Sequence, residues 1–335
     1  MLLSILNNFF DEDLRIEEKD IKKHGEGKIN HTFLIQTKEN KKYILQKLNL
    51  NNFFSSKKQL EIVLKERLKV YLEIKKNLKK FNFILASLLP LAKNKKKYFL
   101  KYKNEYYVLF EFIEHDKKVK KTPELSFEAL KYLGNFHKLS KKYNLKIRYS
   151  LPHFHDTKYF LDKLKKFKKH QDFYLVQKEF SFLMKETPKY FFSKTENILI
   201  HGDPKIQNFL FQNNKVKTVI DWETMMMGSN LIDLGDALRS FAIDNKFKNN
   251  FSKEIFQAGV NGYNEGLGKK INIKTCKQAF NLLNLELIIR YLIDFFEEKL
   301  FSWDNNKYKN LKEHNLYRVR SRLTIYNNLS RNFSK

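Results

Sequence analysis

The chain contains the stretch ILIHGDPKIQN at residues 198–208 and the stretch VIDWE at residues 219–223. Each begins with a short apolar run typical of a buried strand, so Asp203 and Asp221 are each expected to follow a strand. A loop between two strands can bring both carboxylates close to the amide of Asn208. Gly-Asp-Pro is also an ordinary turn sequence, and Asp221 could simply end its strand. The whole combination, in this order, favours a reaction centre over a plain turn.

These residue types suit the transfer of a phosphoryl group to a hydroxyl group. Such a reaction needs one carboxylate that orients the attacking hydroxyl and accepts its proton. It also needs an amide oxygen and a second carboxylate that hold Mg²⁺ against the phosphates of a nucleotide. Asp203, Asn208 and Asp221 supply these groups. The sequence therefore predicts a kinase that uses a nucleotide and Mg²⁺.

Composition limits the kind of protein that carries this stretch. With 335 residues, 42% of them hydrophobic, the chain is long enough for two packed lobes with a buried core. A single cysteine excludes an intramolecular disulfide, and no apolar run reaches the length of a membrane span. The N-terminus also lacks the basic start and cleavage site of a signal peptide. We therefore expect a cytoplasmic protein with no membrane partner.

The net charge of +28 has two interpretations. A basic surface can bind nucleic acid. However, the lysines are scattered along the chain in short runs, and no recognisable nucleic-acid module accompanies them. We therefore expect solvated lysines and no specific nucleic-acid partner.

Apolar periodicity predicts an α+β arrangement of two lobes. Before residue 115 it predicts strands at 26–37, 41–48, 98–103 and 106–113 and a helix at 59–78. From residue 127 the pattern is mostly helical, interrupted by a strand–loop–strand unit at 198–222. A small sheet with one helix and a larger helical part give an N-lobe at 1–110, a hinge at 111–114 and a C-lobe at 115–335.

The HGDxxxxN loop and the IDWE segment after it resemble the aminoglycoside phosphotransferase and choline kinase family, relatives of the protein kinases. The resemblance implies a bilobal protein-kinase-like fold with a small β-rich N-lobe, and it implies ATP as the phosphoryl donor. It also implies that Asp203 is the catalytic base and that Asn208 and Asp221 bind Mg²⁺. Lys205 lies where some of these kinases carry a lysine near the γ-phosphate, although it could also be an exposed loop lysine.

The segment DLGDALR at residues 233–239 resembles the same family. Its acidic side chains can accept backbone N–H groups at the start of a loop or helix, and Arg239 can pair with one of them. We therefore expect this segment to support the catalytic loop and not to take part in the chemistry.

Nucleotide-binding residues are expected in the N-lobe. Gly25 and Gly27 allow the backbone to approach a phosphate closely. Related kinases carry a phosphate-binding lysine on the strand at 43–47, but here Gln46 holds that position. Lys47 follows it, and strand alternation predicts that it points to the opposite face.

Two further parts of the nucleotide site follow from the resemblance. The usual partner of the missing lysine, a glutamate on the next helix, is either Glu61 or Glu66. The backbone of Glu111, Phe112 and Ile113 is expected to contact the adenine in the hinge between the lobes, although the same residues could form a plain buried strand.

Five segments resemble one subgroup, the bacterial N-acetylhexosamine 1-kinases. They are GKINHT at 27–32, YILQKLN at 43–49, LPHFHDT at 151–157, LELIIRYLID at 285–294 and HNLYRVR at 314–320. Together they extend over nearly the whole chain, and Gln46 is shared with that subgroup. The resemblance implies transfer to a hexose or N-acetylhexosamine at its anomeric hydroxyl, and it places His31 near the sugar.

Glu286, Arg290 and Asp294 recur every four residues, so they lie on one face of a predicted helix. They could form an internal ladder of ion pairs. Alternatively, Arg290 faces the acceptor pocket and donates hydrogen bonds to sugar hydroxyls. In LPHFHDT, Asp156 or Thr157 is expected to cap a helix that starts near residue 158.

Two alternatives to a sugar kinase remain open. An aminoglycoside or choline-type acceptor would favour an acidic pocket, which Glu286 and Asp294 could provide. The other alternative is a non-catalytic binding protein on a kinase scaffold, attached to nucleic acid by its charge. In either kinase interpretation the partner is a small-molecule acceptor.

Overall fold

The computed structural model describes residues 1–10, 16–25, 30–48, 57–78, 84–193, 196–244 and 250–332. The chain divides into two units. Unit 1 consists of residues 1–117, 210–212 and 217–220, and unit 2 consists of residues 118–209, 213–216 and 221–335. None of the described helices is both long enough and apolar enough to span a membrane.

Unit 1 is built on a five-stranded antiparallel sheet in the order β1-β2-β3-β5-β4. Its elements are α1 (Leu2–Leu6), β1 (Ile21–Lys23), β2 (His31–Gln36), β3 (Lys42–Leu48), α2 (Lys57–Leu78), β4 (Leu100–Tyr102) and β5 (Glu105–Glu111). The four predicted strands and the predicted helix are confirmed, and the strands pair as two hairpins, β2–β3 and β4–β5. The strand β1 was not predicted. The predicted start of the first hairpin, at 26–29, lies outside the described residues.

The two hairpins turn at residues that tolerate left-handed backbone. Asn40 adopts a φ of 60° in the turn between β2 and β3, and Asn104 adopts a φ of 64° between β4 and β5. One face of the sheet is covered by α1, where Ile5 is fully buried together with Leu45 and Leu109. This burial fixes the strand register, because a slip of one residue would expose the apolar face.

Unit 2 is mostly helical, as predicted. Its elements are α3 (Pro123–Lys142), α4 (Thr157–Lys165), α5 (Gln177–Glu186), β6 (Ile198–Ile200), β7 (Phe209–Gln212, continuing into unit 1), β8 (Lys215–Val219, likewise), β9 (Met226–Gly228), α6 (Asn230–Ala242), β10 (Ile243–Asp244), β11 (Asn250–Phe251), α7 (Lys253–Leu267), α8 (Ile273–Glu297) and α9 (Leu311–Asn332). The helix α8 carries the core, because Leu285, Ile288 and Leu292 are fully buried against α4, α5 and α9.

The predicted strand–loop–strand unit contains more strands than expected. The strand β6 pairs with β9 and not with the strand that precedes Asp221. The strand β7 pairs instead with β8 across a tight turn at Asn213 and Asn214, both of which have positive φ. Asp203 therefore follows β6 and Asp221 follows β8, as expected, but the two strands belong to different two-stranded sheets.

Helices α3 and α7 approach each other closely, because α7 presents glycines to α3. A Cβ atom built on Gly262 would overlap the carbonyl oxygen of Phe127 and lie 2.8 Å from the Phe127 Cα atom. Backbone atoms cannot move aside as a flexible side chain can. The packing of these two helices therefore requires glycine at position 262.

We predict that Gly262→Ala destabilises the protein by about 1–3 kcal/mol, because the added methyl group forces α3 and α7 apart. Chemical denaturation measures the free energy of unfolding. Asn261→Ala, an exposed change one position earlier on α7, is the control and should alter it by less than about 0.5 kcal/mol. Alanine also favours a helix over glycine, so a more stable Gly262→Ala variant would contradict the tight contact.

Candidate active site

The turn at residues 201–203 connects β6 to the loop that carries Asp203. Gly202 has a φ of 88°, and a Cβ atom at this position would overlap the carbonyl oxygen of Thr224. Only glycine therefore fits at this position in the turn. The Thr224 hydroxyl donates a hydrogen bond of 2.9 Å to the carbonyl of His201, so Thr224 holds the turn on one side.

A fully buried carboxylate, Asp233, holds the other side of the turn. Its two oxygens accept the backbone N–H groups of His201 and Gly202, each at 2.8 Å. The Asp233 carboxylate also accepts from Nε2 of His137 at 2.9 Å, and Nδ1 of His137 is 2.7 Å from the Tyr263 hydroxyl. This confirms the expected support of the loop by the segment at 233–239.

Asp203 itself is only partly buried, and its side chain is 26% exposed. The Lys205 ammonium donates to its carboxylate. Burial alone would lower the pKa of Lys205, but the Asp203 charge and this hydrogen bond raise it above its ordinary value. Lys205 is therefore a charged partner of the candidate base and not a free loop lysine.

Asn208 closes the loop at residues 203–208. Its side-chain NH₂ group donates to the Asp203 carbonyl at 2.7 Å. Both amide hydrogens point back into the loop, since the second contact is to the Asp203 carboxylate at 3.4 Å. No donor to the Asn208 side-chain oxygen is found among the described residues, so this oxygen is available as a ligand.

Asp221 follows β8 in a left-handed conformation, with a φ of 63°. Its carboxylate accepts no hydrogen bond from any residue in the described part of the chain. Burial raises the pKa of Asp221, the Lys205 charge lowers it, and the Asp203 charge raises it. The carboxylate of Asp221 and the amide oxygen of Asn208 are the hard oxygen donors that Mg²⁺ prefers.

The three charged residues predicted on one helix face, Glu286, Arg290 and Asp294, lie on α8, and they do not form a ladder. Glu286 accepts from the side chains of His155 and Thr157, at 2.8 Å and 2.5 Å. Asp294 accepts backbone N–H groups from residues 299, 300 and 301 and the side-chain amide of Asn315. The ladder interpretation is therefore wrong, because each acid has partners outside the helix.

Among the three charged residues on this face of α8, Arg290 forms no ion pair with any described residue. Its guanidinium carbon lies 5.9 Å, 5.8 Å and 5.8 Å from the ring centres of Phe154, Phe160 and Phe301. The ring of Phe154 also lies against the turn at 201–203, 3.4 Å from a Cβ atom built on Gly202. A single aromatic ring therefore separates the Arg290 guanidinium from the turn that carries Asp203.

His155, to which the sequence analysis gave no role, contacts the turn at 201–203. Its Nε2 atom lies 2.6 Å from the carbonyl oxygen of Gly202, and its backbone is left-handed. The only signal in the sequence was its position just before Asp156, which caps α4 by accepting the N–H of Tyr159 as predicted.

The predicted nucleotide-binding residues lie in unit 1. Gln46 shares a sheet face with Ile44 and Phe110, and the Phe110 ring contacts Tyr71 of α2 at 5.9 Å. Lys47 points to the opposite face, as predicted, and pairs with Glu105 at 3.2 Å. Gln46 therefore lies on the α2 side of the sheet.

The glutamates predicted on α2 differ in their surroundings. Glu61 forms ion pairs with Lys65 and Lys101 at 3.1 Å and 3.8 Å. Glu66 instead carries a carboxylate oxygen that is buried from solvent. This difference makes Glu66 the better candidate for the glutamate that faces the sheet.

The remaining nucleotide candidates, and the predicted sugar contact His31, lie at or near strand ends. The N–H groups of Glu111 and Phe112 donate to carbonyls of Ser87 and Lys42, and the Ile113 carbonyl accepts from His115. The N–H of Ile113 has no partner among the described residues. Gly25 has a φ of 73°, and a Cβ atom built on it would have no described residue beyond its chain neighbours within 4 Å. His31 begins β2 in an exposed position, and Gly27 lies outside the described residues.

A family model described as "Phosphotransferase enzyme family" matches residues 20–268. This match spans β1 to the end of α7 and includes the whole loop from His201 to Asp221 and the supporting helix α6. It ends before α8.

Three solved structures resemble the chain over most of its length. The amicoumacin kinase hAmiN in complex with AMP-PNP, Ca²⁺ and Ami is 14% identical, with a TM-score of 0.65 over 96% of this chain and 92% of that chain. An aminoglycoside phosphotransferase from Alicyclobacillus acidocaldarius is 13% identical, with a TM-score of 0.66 over 98% and 95%. The microcompartment-associated aminopropanol kinase is 15% identical, with a TM-score of 0.64 over 98% and 97%. These similarities confirm the predicted fold.

We predict that Asp233→Asn destabilises the protein by roughly 3 kcal/mol, because an amide NH₂ group then faces backbone N–H donors in a buried site. Thermal and chemical unfolding measure the loss. The control is Asp162→Asn on α4, where the side chain is 67% exposed and pairs with Lys165; its stability should match that of the wild type. Equal stability of the Asp233→Asn variant would show that the carboxylate does not hold the turn.

Proposed function

The chain belongs to the phosphotransferase enzyme family, and we propose that Asp203 accepts the proton of the acceptor hydroxyl as the γ-phosphoryl group of ATP is transferred. The chain is an ATP-dependent small-molecule kinase, as its sequence predicted. The observation that carries the proposal is the partly exposed Asp203 carboxylate on a turn whose backbone is held from both sides.

In the proposed reaction, the acceptor oxygen forms a bond to the γ-phosphorus as the bond between that phosphorus and the departing ADP oxygen breaks. The hydroxyl proton goes to Asp203. Lys205, which is paired with Asp203, supplies positive charge beside the phosphoryl group. The rigid turn contributes by placing the carboxylate before the substrate arrives.

The proposed cation ligands are Asn208 and Asp221. They fit Mg²⁺, because a carboxylate and an amide oxygen without described donors are available there. When bound with the nucleotide, the cation would neutralise phosphate charge. Gly25, Gln46 and the N–H of Ile113 would contact the nucleotide, whereas the Lys47 ammonium is paired with Glu105.

We propose a hexose or N-acetylhexosamine as the acceptor, phosphorylated at the anomeric hydroxyl, with Arg290 donating to the sugar. The partly buried guanidinium of Arg290 has aromatic neighbours but no carboxylate partner among the described residues, and its Nε atom is shielded from solvent. Such a group suits the neutral hydroxyl or amide oxygens of a sugar. The carboxylates of Glu286 and Asp294, which an amine acceptor would need, are already engaged inside the fold.

The test is ADP release with Mg²⁺-ATP and a panel of N-acetylhexosamines, hexoses, aminoglycosides and choline, with phosphorus NMR of any product. We expect release with a hexosamine or hexose and an anomeric phosphate signal. Asp203→Ala should lower kcat by about 10²–10⁴-fold while ATP binding persists, because the proton acceptor is lost.

Asp162→Ala is the matched control for this variant and should retain full turnover. Release with amine acceptors alone would overturn the sugar proposal. Unchanged turnover in Asp203→Ala would overturn the mechanism. ATP binding without turnover of any acceptor would favour the non-catalytic alternative.

We predict that Arg290→Met raises the KM for the acceptor by about 10-fold while the KM for ATP stays within a factor of two, because roughly two hydrogen bonds to the acceptor are lost. Methionine fits among the three phenylalanine rings, so the fold should persist. Steady-state kinetics with both substrates varied separates the two constants. Arg318→Met is the control, because that guanidinium also lies over Phe301 but donates to Asn315 and Ser302. An unchanged acceptor KM in Arg290→Met would remove Arg290 from the acceptor site.

A further inference from the structure

The ring of His155 bridges two buried groups from distant parts of unit 2. Nδ1 lies 2.8 Å from a carboxylate oxygen of Glu286 on α8, and Nε2 lies 2.6 Å from the carbonyl oxygen of Gly202 in the catalytic turn. The side chains of His155 and Glu286 are 4% and 3% exposed. Water therefore cannot replace either contact without opening the packing.

Both partners of the ring are acceptors. A backbone carbonyl has no proton to give, so Nε2 must donate to Gly202. The second oxygen of the Glu286 carboxylate already accepts from the Thr157 hydroxyl. This carboxylate is ionised: burial raises its pKa, but His155, Thr157 and Arg290 together lower it below the ordinary value. Nδ1 must therefore donate as well, and the ring with two donors is the imidazolium cation.

The charges around the ring favour this cation. The groups that act on His155 are Glu286 from α8, Asp236 from α6 and the carbonyl of the catalytic turn. Arg290 on α8 and Arg239, which is paired with Asp236, are the nearby positive groups. Burial lowers the pKa of His155, but Glu286, Asp236 and the Gly202 carbonyl raise it by more than burial lowers it. The resulting pKa is about 9.

The N–H and carbonyl groups of His201 and Gly202 are four backbone groups, and each has a hydrogen-bond partner. Asp233 takes the N–H groups of His201 and Gly202, and Thr224 donates to the carbonyl of His201. His155 holds the carbonyl of Gly202, which belongs to the peptide that leads into Asp203. This hydrogen bond therefore helps to fix the peptide that leads into Asp203, whose own N–H donates to Nδ1 of His201 at 3.2 Å.

We propose that His155, held as a cation by Glu286, is a positioning residue that fixes Asp203 through the Gly202 carbonyl, and that loss of its proton releases the turn and slows phosphoryl transfer. The effect on rate rests on the proposed function of Asp203. The effect on the turn does not, because it concerns the folded protein without substrate.

The direction of the pH dependence follows from the raised pKa. Because the folded value lies above the ordinary 6.5 of histidine, the stabilisation is complete below pH 6.5 and is lost as the pH rises to about 9. In the folded protein the ring loses its proton only near pH 9. The kcat should therefore be level from pH 7 to 8 and fall above about pH 9.

Nitrogen NMR of histidine-labelled protein tests the charge, with the His155→Gln variant identifying the signals of this ring. We expect both ring nitrogens to carry protons at pH 7.5, and the carbonyl carbon signal of Gly202 to change with the same titration near pH 9. A ring with a single proton at pH 7.5, or a Gly202 signal that does not follow it, would overturn the proposal. This measurement needs no turnover.

Kinetics then test the effect on rate, with Glu286→Gln and Thr157→Val as a matched pair. Glu286→Gln keeps the shape but removes the charge, so the alkaline fall of kcat should move to lower pH by at least one unit, with the KM for ATP unchanged. Thr157→Val removes the other hydrogen bond of the same carboxylate and should leave the fall near its wild-type position. Circular dichroism at each pH confirms that the variants remain folded.

The outcomes separate this proposal from the proposed function. Coincident pH profiles of Glu286→Gln and the wild type would overturn the positioning role even if the enzyme is active. A wild type that transfers no phosphoryl group would overturn the proposed function, and the NMR titration would still decide whether His155 holds the turn.

Discussion

The buried carboxylate of Asp233 is the contact on which unit 2 depends. Burying a charge is costly unless hydrogen bonds replace the lost water, and here two backbone N–H groups and the His137 ring do so. These donors come from the turn after β6 and from α3, while Tyr263 of α7 contacts the same ring. The Asp233 carboxylate on α6 therefore connects α3, α7 and the turn that carries the candidate base. The close glycine packing of α7 on α3 holds these two helices together.

This arrangement separates the rigid and the reactive parts of the loop. The backbone groups of residues 201 and 202 all have partners inside unit 2, whereas the Asp203 side chain stays partly exposed beside Lys205. A catalytic group gains from such a frame, because its position is fixed before the substrate binds. The sharp turn before Asp203 requires a left-handed backbone at Gly202, which glycine adopts readily.

The sequence was informative wherever the signal was local. Alternation predicted the hairpins and the opposite faces of Gln46 and Lys47, and the HGDxxxxN spacing predicted the loop. The partners of buried polar groups were not predictable, because they lie far along the chain: His155 and Glu286 are 131 residues apart, and His137 and Asp233 are 96 apart. The choice between an ion-pair ladder on α8 and separate roles for its charges stayed open for the same reason, since periodicity gives the face of a side chain but not what covers that face.

The positions of the loop and of Arg290 along the chain also bear on the specificity for the acceptor. The matched family region, residues 20–268, contains the loop and its supports but ends before α8. On α8, the Glu286 carboxylate contacts the ring of His155, which contacts the turn at 201–203. Asp294 fixes the loop at 299–301, which carries Phe301. Two of the three charges on this helix face thus serve the framework, and Arg290 is left among aromatic rings. In the proposed function, the transfer chemistry belongs to the shared family region, whereas the acceptor contact of Arg290 comes from α8, beyond that region.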